Sequence, residues 1–243
     1  MGGRNNYNVL IILLLFSACG SDAFGQDKRA SREPTGTYRV KPYETIFNTI
    51  WKDSLYRFDN FTDGRVRFIN GVSRTYKLNY SLITGEMEFI DARGDSLVLD
   101  GTPDVRIVNI GGRIFYHHPR AGYIEIVLQM PIALGVKRIL SVLRKEVVGD
   151  NGYGQTSFTT TAVSSLYRNS PSVFSNYDIL YEKENVYFFI DNRNTPVLAN
   201  RISLFRLFPD HKPELKHYLR KNRINFKRER DMVNLTNYVA RFY

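Results

Sequence analysis

The sequence predicts an α+β protein: an antiparallel β-meander, as an open sheet, a sandwich or a barrel, followed by a group of short C-terminal α-helices. Two observations predict it. Between residues 56 and 200, apolar and polar residues alternate in strand-sized runs, and turn residues recur about every ten positions. From residue 201 the apolar spacing lengthens to the helical period. The order of the two patterns, strands first and helices last, is that of an α+β chain with its helices segregated to one end.

The first 25 residues are predicted to be a signal peptide. Arg4 precedes an unbroken apolar run, Val9 to Phe16, and Ala23-Phe24-Gly25 stands before Gln26 as a small-residue cleavage site. The run is shorter than the roughly 20 apolar residues that cross a bilayer, so no transmembrane span is expected in the mature chain. Phe16-Ser17-Ala18-Cys19 resembles a bacterial lipobox, whose cysteine is lipidated and becomes the first mature residue. Simple cleavage before Gln26 and lipidation at Cys19 stay open as alternatives. Either way the expected location is the periplasm or the outer membrane. Cys19 is the single cysteine of the chain. An internal disulfide, a thiolate metal cluster and a cysteine nucleophile are therefore not expected.

Residues 26–55 form a lead-in segment, and the β-rich domain is expected over 56–200. Val66 and Phe68 alternate with Arg65 and Arg67, and Asn70-Gly71 is a strong hairpin signal. Tyr76, Leu78 and Tyr80 share the face of the return strand. Thr84-Gly85 turns the chain into Met87 and Phe89, and Arg93-Gly94-Asp95 turns it into Leu97 and Leu99. After Asp100-Gly101, Val105, Ile107 and Asn109 begin a strand that Gly111-Gly112 turns into Ile114-Phe115-Tyr116. Ile139 to Val148 reads as a strand or a short helix. Gly149 to Ser165, rich in Gly, Ser and Thr, is expected to be a long loop. A hairpin is expected where Ile179-Leu180-Tyr181 meets Val186-Tyr187-Phe188-Phe189 across Glu184-Asn185.

The helical segment, 201–243, is expected to pack on the sheet. Its first helix runs from Arg201 to Phe208 and is stopped by Pro209. Asp210 is placed to cap a second, with Leu215, Tyr218 and Leu219 inward and Pro213 tolerated in the first turn. A third begins near Arg228 and carries Met232, Leu235, Tyr238, Val239 and Phe242 on one stripe.

Leu78-Asn79-Tyr80, Gly85-Glu86-Met87-Glu88-Phe89-Ile90, Gly94-Asp95 and the closing Leu207-Phe208-Pro209 with its basic helix carry a resemblance. In these residues the chain resembles a family of exported proteins of Bacteroidetes-type bacteria with no assigned activity. The resemblance implies export and the β-then-α order, and implies no chemistry.

Charge is the strongest compositional signal. The net charge is +10, which favours anionic partners. From His211 to Arg230, eight Lys and Arg residues stand against Glu214 and Glu229, a net +6. Lys212, Lys216, Arg220, Lys221, Arg223, Lys227 and Arg228 are the candidate contacts to an anionic envelope surface or another envelope protein. Nucleic acid is not an expected partner, because the chain is predicted to be exported and shows no nucleic-acid module.

No catalytic, cofactor or metal residues are assigned from the sequence. Gly94-Asp95-Ser96-Leu97 spells the name of a serine hydrolase family, but the Asp-x-x-His that would supply its base is missing. Arg93-Gly94-Asp95 matches an adhesion tripeptide and is also ordinary turn chemistry. His117-His118 point to opposite faces of a strand, and His211 and His217 are six apart on a helix, so neither pair shares an ion readily. Gly149 to Gly154 lacks the Lys-Ser/Thr ending of a phosphate loop. Asp53-Ser54-Leu55 and Asp95-Ser96-Leu97 fit a permissive O-glycosylation pattern. The expected function is a non-catalytic binding or structural module of the envelope. The alternative is a carboxylate-dependent hydrolase using Glu86 with Glu88, or Asp91 with Asp95.

Overall fold

The computed structural model describes residues 37–41, 55–99, 104–149, 152–157, 161–162 and 177–243. Among the described residues, thirteen strands form one antiparallel sheet. They are β1 (Thr37–Val40), β2 (Thr62–Phe68), β3 (Ser73–Tyr80), β4 (Met87–Ile90), β5 (Ser96–Val98), β6 (Val105–Ile110) and β7 (Arg113–His118). They continue as β8 (Gly122–Leu128), β9 (Ala133–Gly149), β10 (Gly152–Ser157), β11 (Thr161–Ala162), β12 (Tyr177–Ile190) and β13 (Pro196–Leu198). The main path runs β1-β12-β9-β8-β7-β6-β2-β3-β4-β5, with β10 and β11 on β9 and β13 on β12. Its ends, β1 and β5, do not pair with each other, so the sheet is open.

Local chemistry explains the meander. Gly111 and Gly112 have φ of +56° and +73°, and Ile110 pairs with Arg113 across them. Two successive positive φ values give the two-residue turn whose twist matches that of paired strands, and glycine adopts them without strain. At Asn70-Gly71 the loop is longer. The Asn70 side chain accepts from the Val72 N–H at 3.0 Å, and the strands begin pairing only at Arg67 and Ser73.

β9 and β12 are the long spine of the fold, paired from Ala133–Ile190 to Val147–Tyr177. The pairing, with one bulge at Leu180-Tyr181, runs through the middle of β12, and two expectations are corrected. Glu184-Asn185 is no turn but the middle of β12, opposite Ile139 and Arg138. Neither residue is a glycine that would relieve a tight turn, and in the extended form their backbone groups enter the ladder. Residues 149–165 are not a single loop either: β10 folds back on the end of β9 and β11 pairs with Ser141 and Val142. Of the two readings of Ile139 to Val148, the strand is the one formed.

Three helices close the chain: α1 (Arg201–Leu207), α2 (Lys212–Lys221) and α3 (Glu229–Val239). Asn200 caps α1, its side-chain oxygen accepting from the Ser203 N–H at 2.8 Å. Asp210 does not cap α2. Pro209 opens a 3-10 turn that contains it, and His211 occupies the cap position without a side-chain bond. No helix of the described residues is long and apolar enough to cross a membrane.

Two apolar cores result. The first gathers the inward face of the meander, including Val66, Leu78, Val108 and Phe115, over Leu140, Val142, Ile179 and Tyr181 of the spine. The second packs Leu204, Leu215, Leu219, Met232, Leu235 and Val239 of the helices on Leu134, Val136, Tyr187 and Phe189 of the same spine. Residues two apart on a strand share a face. One row of β9 therefore reads Leu134, Val136, Arg138, Leu140, Val142, with helix core at one end, meander core at the other and a charge between.

Candidate functional site

Arg138 marks the seam between the two cores, and the register builds a charged cluster around it. Glu125 of β8 stands opposite Val136, on Arg138's side of the sheet, and Asn185 of β12 stands opposite Arg138 itself. The Glu125 side chain is 1% exposed. Its carboxylate accepts four N–H bonds: Nε and Nη2 of Arg57 at 2.9 and 3.2 Å, Nη1 of Arg113 at 2.7 Å and Nε of Arg138 at 3.1 Å. Arg138 also donates Nη1 to Asn185 at 3.2 Å and Nη2 to Glu229, the first residue of α3, at 2.8 Å. The guanidinium thus ties the meander, the spine and the helical segment at one point.

Burial by itself raises the Glu125 pKa, yet hydrogen bonds and charge from Arg57 and Arg138 outweigh it and hold the carboxyl below its ordinary value. For Arg138, burial works against the charge, while Glu229 and Glu125 more than compensate and raise its pKa. Both groups are ionised. Two buried tyrosines flank the seam. The Tyr187 hydroxyl lies beside Asn185 and Glu229, and the Tyr80 hydroxyl has no hydrogen-bond partner among the described residues. Burial, reinforced by Glu86 and Glu125, pushes the Tyr80 hydroxyl far above its usual pKa.

A cleft of about 460 Å³ opens over this cluster, lined by Tyr56, Arg57, Arg113, Arg138, Lys183, Glu184, Asn185 and Glu229 among others. Tyr56 donates to Glu88 at 2.8 Å, and burial with the Glu88 carboxylate pushes its pKa up to about 12. The guanidiniums are fixed by a shared buried carboxylate, and their forked N–H donors have the geometry that matches carboxylates and phosphates.

The residues singled out from sequence lie elsewhere. Lys212, Lys216, Arg220, Lys221, Arg223, Lys227 and Arg228 are all exposed, on α2 and the turn into α3. None forms an ion pair among the described residues. The two acids of that stretch are already engaged, Glu214 with His211 and Arg241 and Glu229 with Arg138.

Ser96 begins the exposed strand β5 and donates to Glu88 at 2.9 Å, while Asp91 organises the 91–95 turn by accepting from the Arg93 and Asp95 N–H groups. Glu86 and Glu88 have separate surroundings. The first acts on Lys137 and Tyr80, and the second bonds Tyr56 and Ser96. His117 lies against Tyr123 with Nδ1 at 3.2 Å from the Val105 carbonyl, and His118 accepts from the Arg120 and Ala121 N–H groups. His211 stacks on Phe242 at 3.9 Å, and His217 is exposed. Cys19, Asp53 and Ser54 lie outside the described residues.

The Glu125 cluster escaped the sequence analysis, although two local signals marked it. Glu125 interrupts the apolar run Tyr123 to Leu128, and Arg138 interrupts the alternating apolar row of β9. Comparison with protein-family models, with curated proteins and with solved structures finds no match to this chain.

Proposed function

We propose that the chain is a non-catalytic binding module of the cell envelope, held on an anionic lipid surface by its C-terminal helices. One observation carries the reading. Seven cations between Lys212 and Arg228 are exposed and unpaired among the described residues, while the acids interspersed with them are drawn away by Arg138, His211 and Arg241. Glu229 is spent on Arg138 and Glu214 on His211 and Arg241, so neither acid of the stretch neutralises any of the seven cations. An exposed lysine or arginine close to an anionic bilayer contributes about 1 kcal/mol of attraction, which fades beyond a Debye length of roughly 8 Å at physiological salt. The helices are fastened to the sheet by the second core, so the cations are presented by a rigid support rather than by a tail.

The test is sedimentation of residues 26–243 with vesicles of phosphatidylglycerol and phosphatidylcholine across a salt series. A variant with Lys216, Arg220, Lys221 and Arg223 changed to Glu runs beside it. Binding that weakens with salt, and is lost in the variant, supports docking through the helices. Equal binding by both proteins, or none by the parent at low salt, refutes it.

A further inference from the structure

The cleft at the seam carries an excess of positive charge that the fold does not cancel. Arg57, Arg113, Arg138 and Lys183 are set against Glu125, Glu184 and Glu229, four cations to three carboxylates, a net +1. Glu125 is fully occupied, its two oxygens receiving four N–H groups. Arg138 is occupied too, each of its three nitrogens bonded to Glu125, Asn185 or Glu229. Among the described residues the other two guanidiniums keep uncommitted donors. Arg113 commits only Nη1, and its side chain is 50% exposed; Arg57 commits Nε and Nη2 and leaves Nη1.

Arg57 and Arg113 share the same carboxylate oxygen, Oε1 of Glu125, at 3.2 and 2.7 Å. Two like charges are thus held side by side at the lining of a cleft, by an anion that is itself shut off from solvent. Partly buried cations with unfilled donors favour an incoming oxyanion, and a pair of forks fixed in advance loses little freedom when it arrives. A volume of about 460 Å³ lies within the size range of small-molecule sites, and this lining is polar where most such sites are apolar. Asn185 and Glu229 also line the cleft, where a ligand hydroxyl can meet their polar atoms.

We infer that this cleft binds a small hydroxylated ligand through one monoanionic oxyanion, a carboxylate or a phosphodiester, gripped between Arg57 and Arg113. Glu125 is the positioning residue beneath them. The site is distinct from the helical cations and does not depend on the docking reading.

Calorimetric titration of the purified full chain tests it, with glucuronate as the carboxylate probe, glycerophosphoglycerol as the phosphodiester probe and glucose as the neutral control. Saturable binding of one or both anions is expected, with none for glucose. Arg113→Ala, chosen because the residue is half exposed, should weaken it about tenfold or more, the loss of a charge-assisted hydrogen bond, with a smaller loss of melting temperature than Glu125→Ala, since Arg57 and Arg138 still pair with Glu125. The variant with Lys216, Arg220, Lys221 and Arg223 changed to Glu should bind as the parent does, which separates this site from the helices. The anion that binds identifies the recognised group. Absence of saturation by either anion up to about 10 mM, weaker than any useful small-ligand affinity, overturns the inference. So does parental binding by both Arg113→Ala and Arg57→Ala.

Discussion

Changing Glu125 to alanine removes the shared counter-ion of three guanidiniums at once. Deleting one partner of a buried ion pair costs about 3–5 kcal/mol, because the other is left charged and unpaired. Here the arginine side chains are 22%, 50% and 19% exposed, so water reaches them and the lower end applies, about 3 kcal/mol. For a chain of this size each kcal/mol shifts the midpoint by about 2–4 °C, so Glu125→Ala should melt roughly 6–12 °C below the parent. Glu125→Gln keeps an acceptor and loses the charge, and should fall between the two.

Acid provides the complementary perturbation. The folded Glu125 pKa is lowered from an ordinary value of 4.5, so its contribution is complete above that pH and is lost as pH falls through the lowered folded value. Thermal and urea unfolding followed by circular dichroism at pH 7 and across pH 5 to 3 measures both effects. The variants should lose part of the acid dependence that the parent shows. A Glu125→Ala protein melting within about 2 °C of the parent, less than 1 kcal/mol at this size, would refute the claim that the seam depends on this carboxylate.

Two further substitutions test the packing of the spine at its helix-covered end. Gly135 of β9 has no room for a side chain, since an added Cβ would run into Ile124 Cγ2 and come within 3.0 Å of Ile190 Cδ1. Gly135→Ala should therefore cost about 1–3 kcal/mol by overpacking, read from the urea midpoint, and a neutral result would show that the strands separate freely there. Leu235, fully buried between α3 and the spine, should cost about 2–5 kcal/mol when cut to alanine. Hydrogen exchange should then show protection lost first at Leu134, Val136 and the helices, and a uniform loss reaching Val66 and Val108 equally would contradict two separately covered halves of one spine.

Period and punctuation were enough to place most of the elements. Alternation with Gly-Gly and Gly-Asp turns defined the meander because strand sidedness and positive φ are local properties, written in neighbouring residues. The 3.6-residue stripe of Met232, Leu235 and Val239 defined α3 for the same reason. Glu184-Asn185 misled because polarity inside an apolar run marks either a turn or a buried polar partner, and only the partner's position distinguishes the two. That partner, Arg138, is 47 residues away. The Glu125 cluster draws on residues from 57 to 229 that meet only when the spine is covered by meander at one end and helices at the other. The sequence alone determined sidedness, turns and the surplus of cations. Tertiary structure decided which charges are buried together, which cations the acids of the helical segment pair with and where a cleft opens, because those outcomes depend on distances between elements that no local pattern encodes.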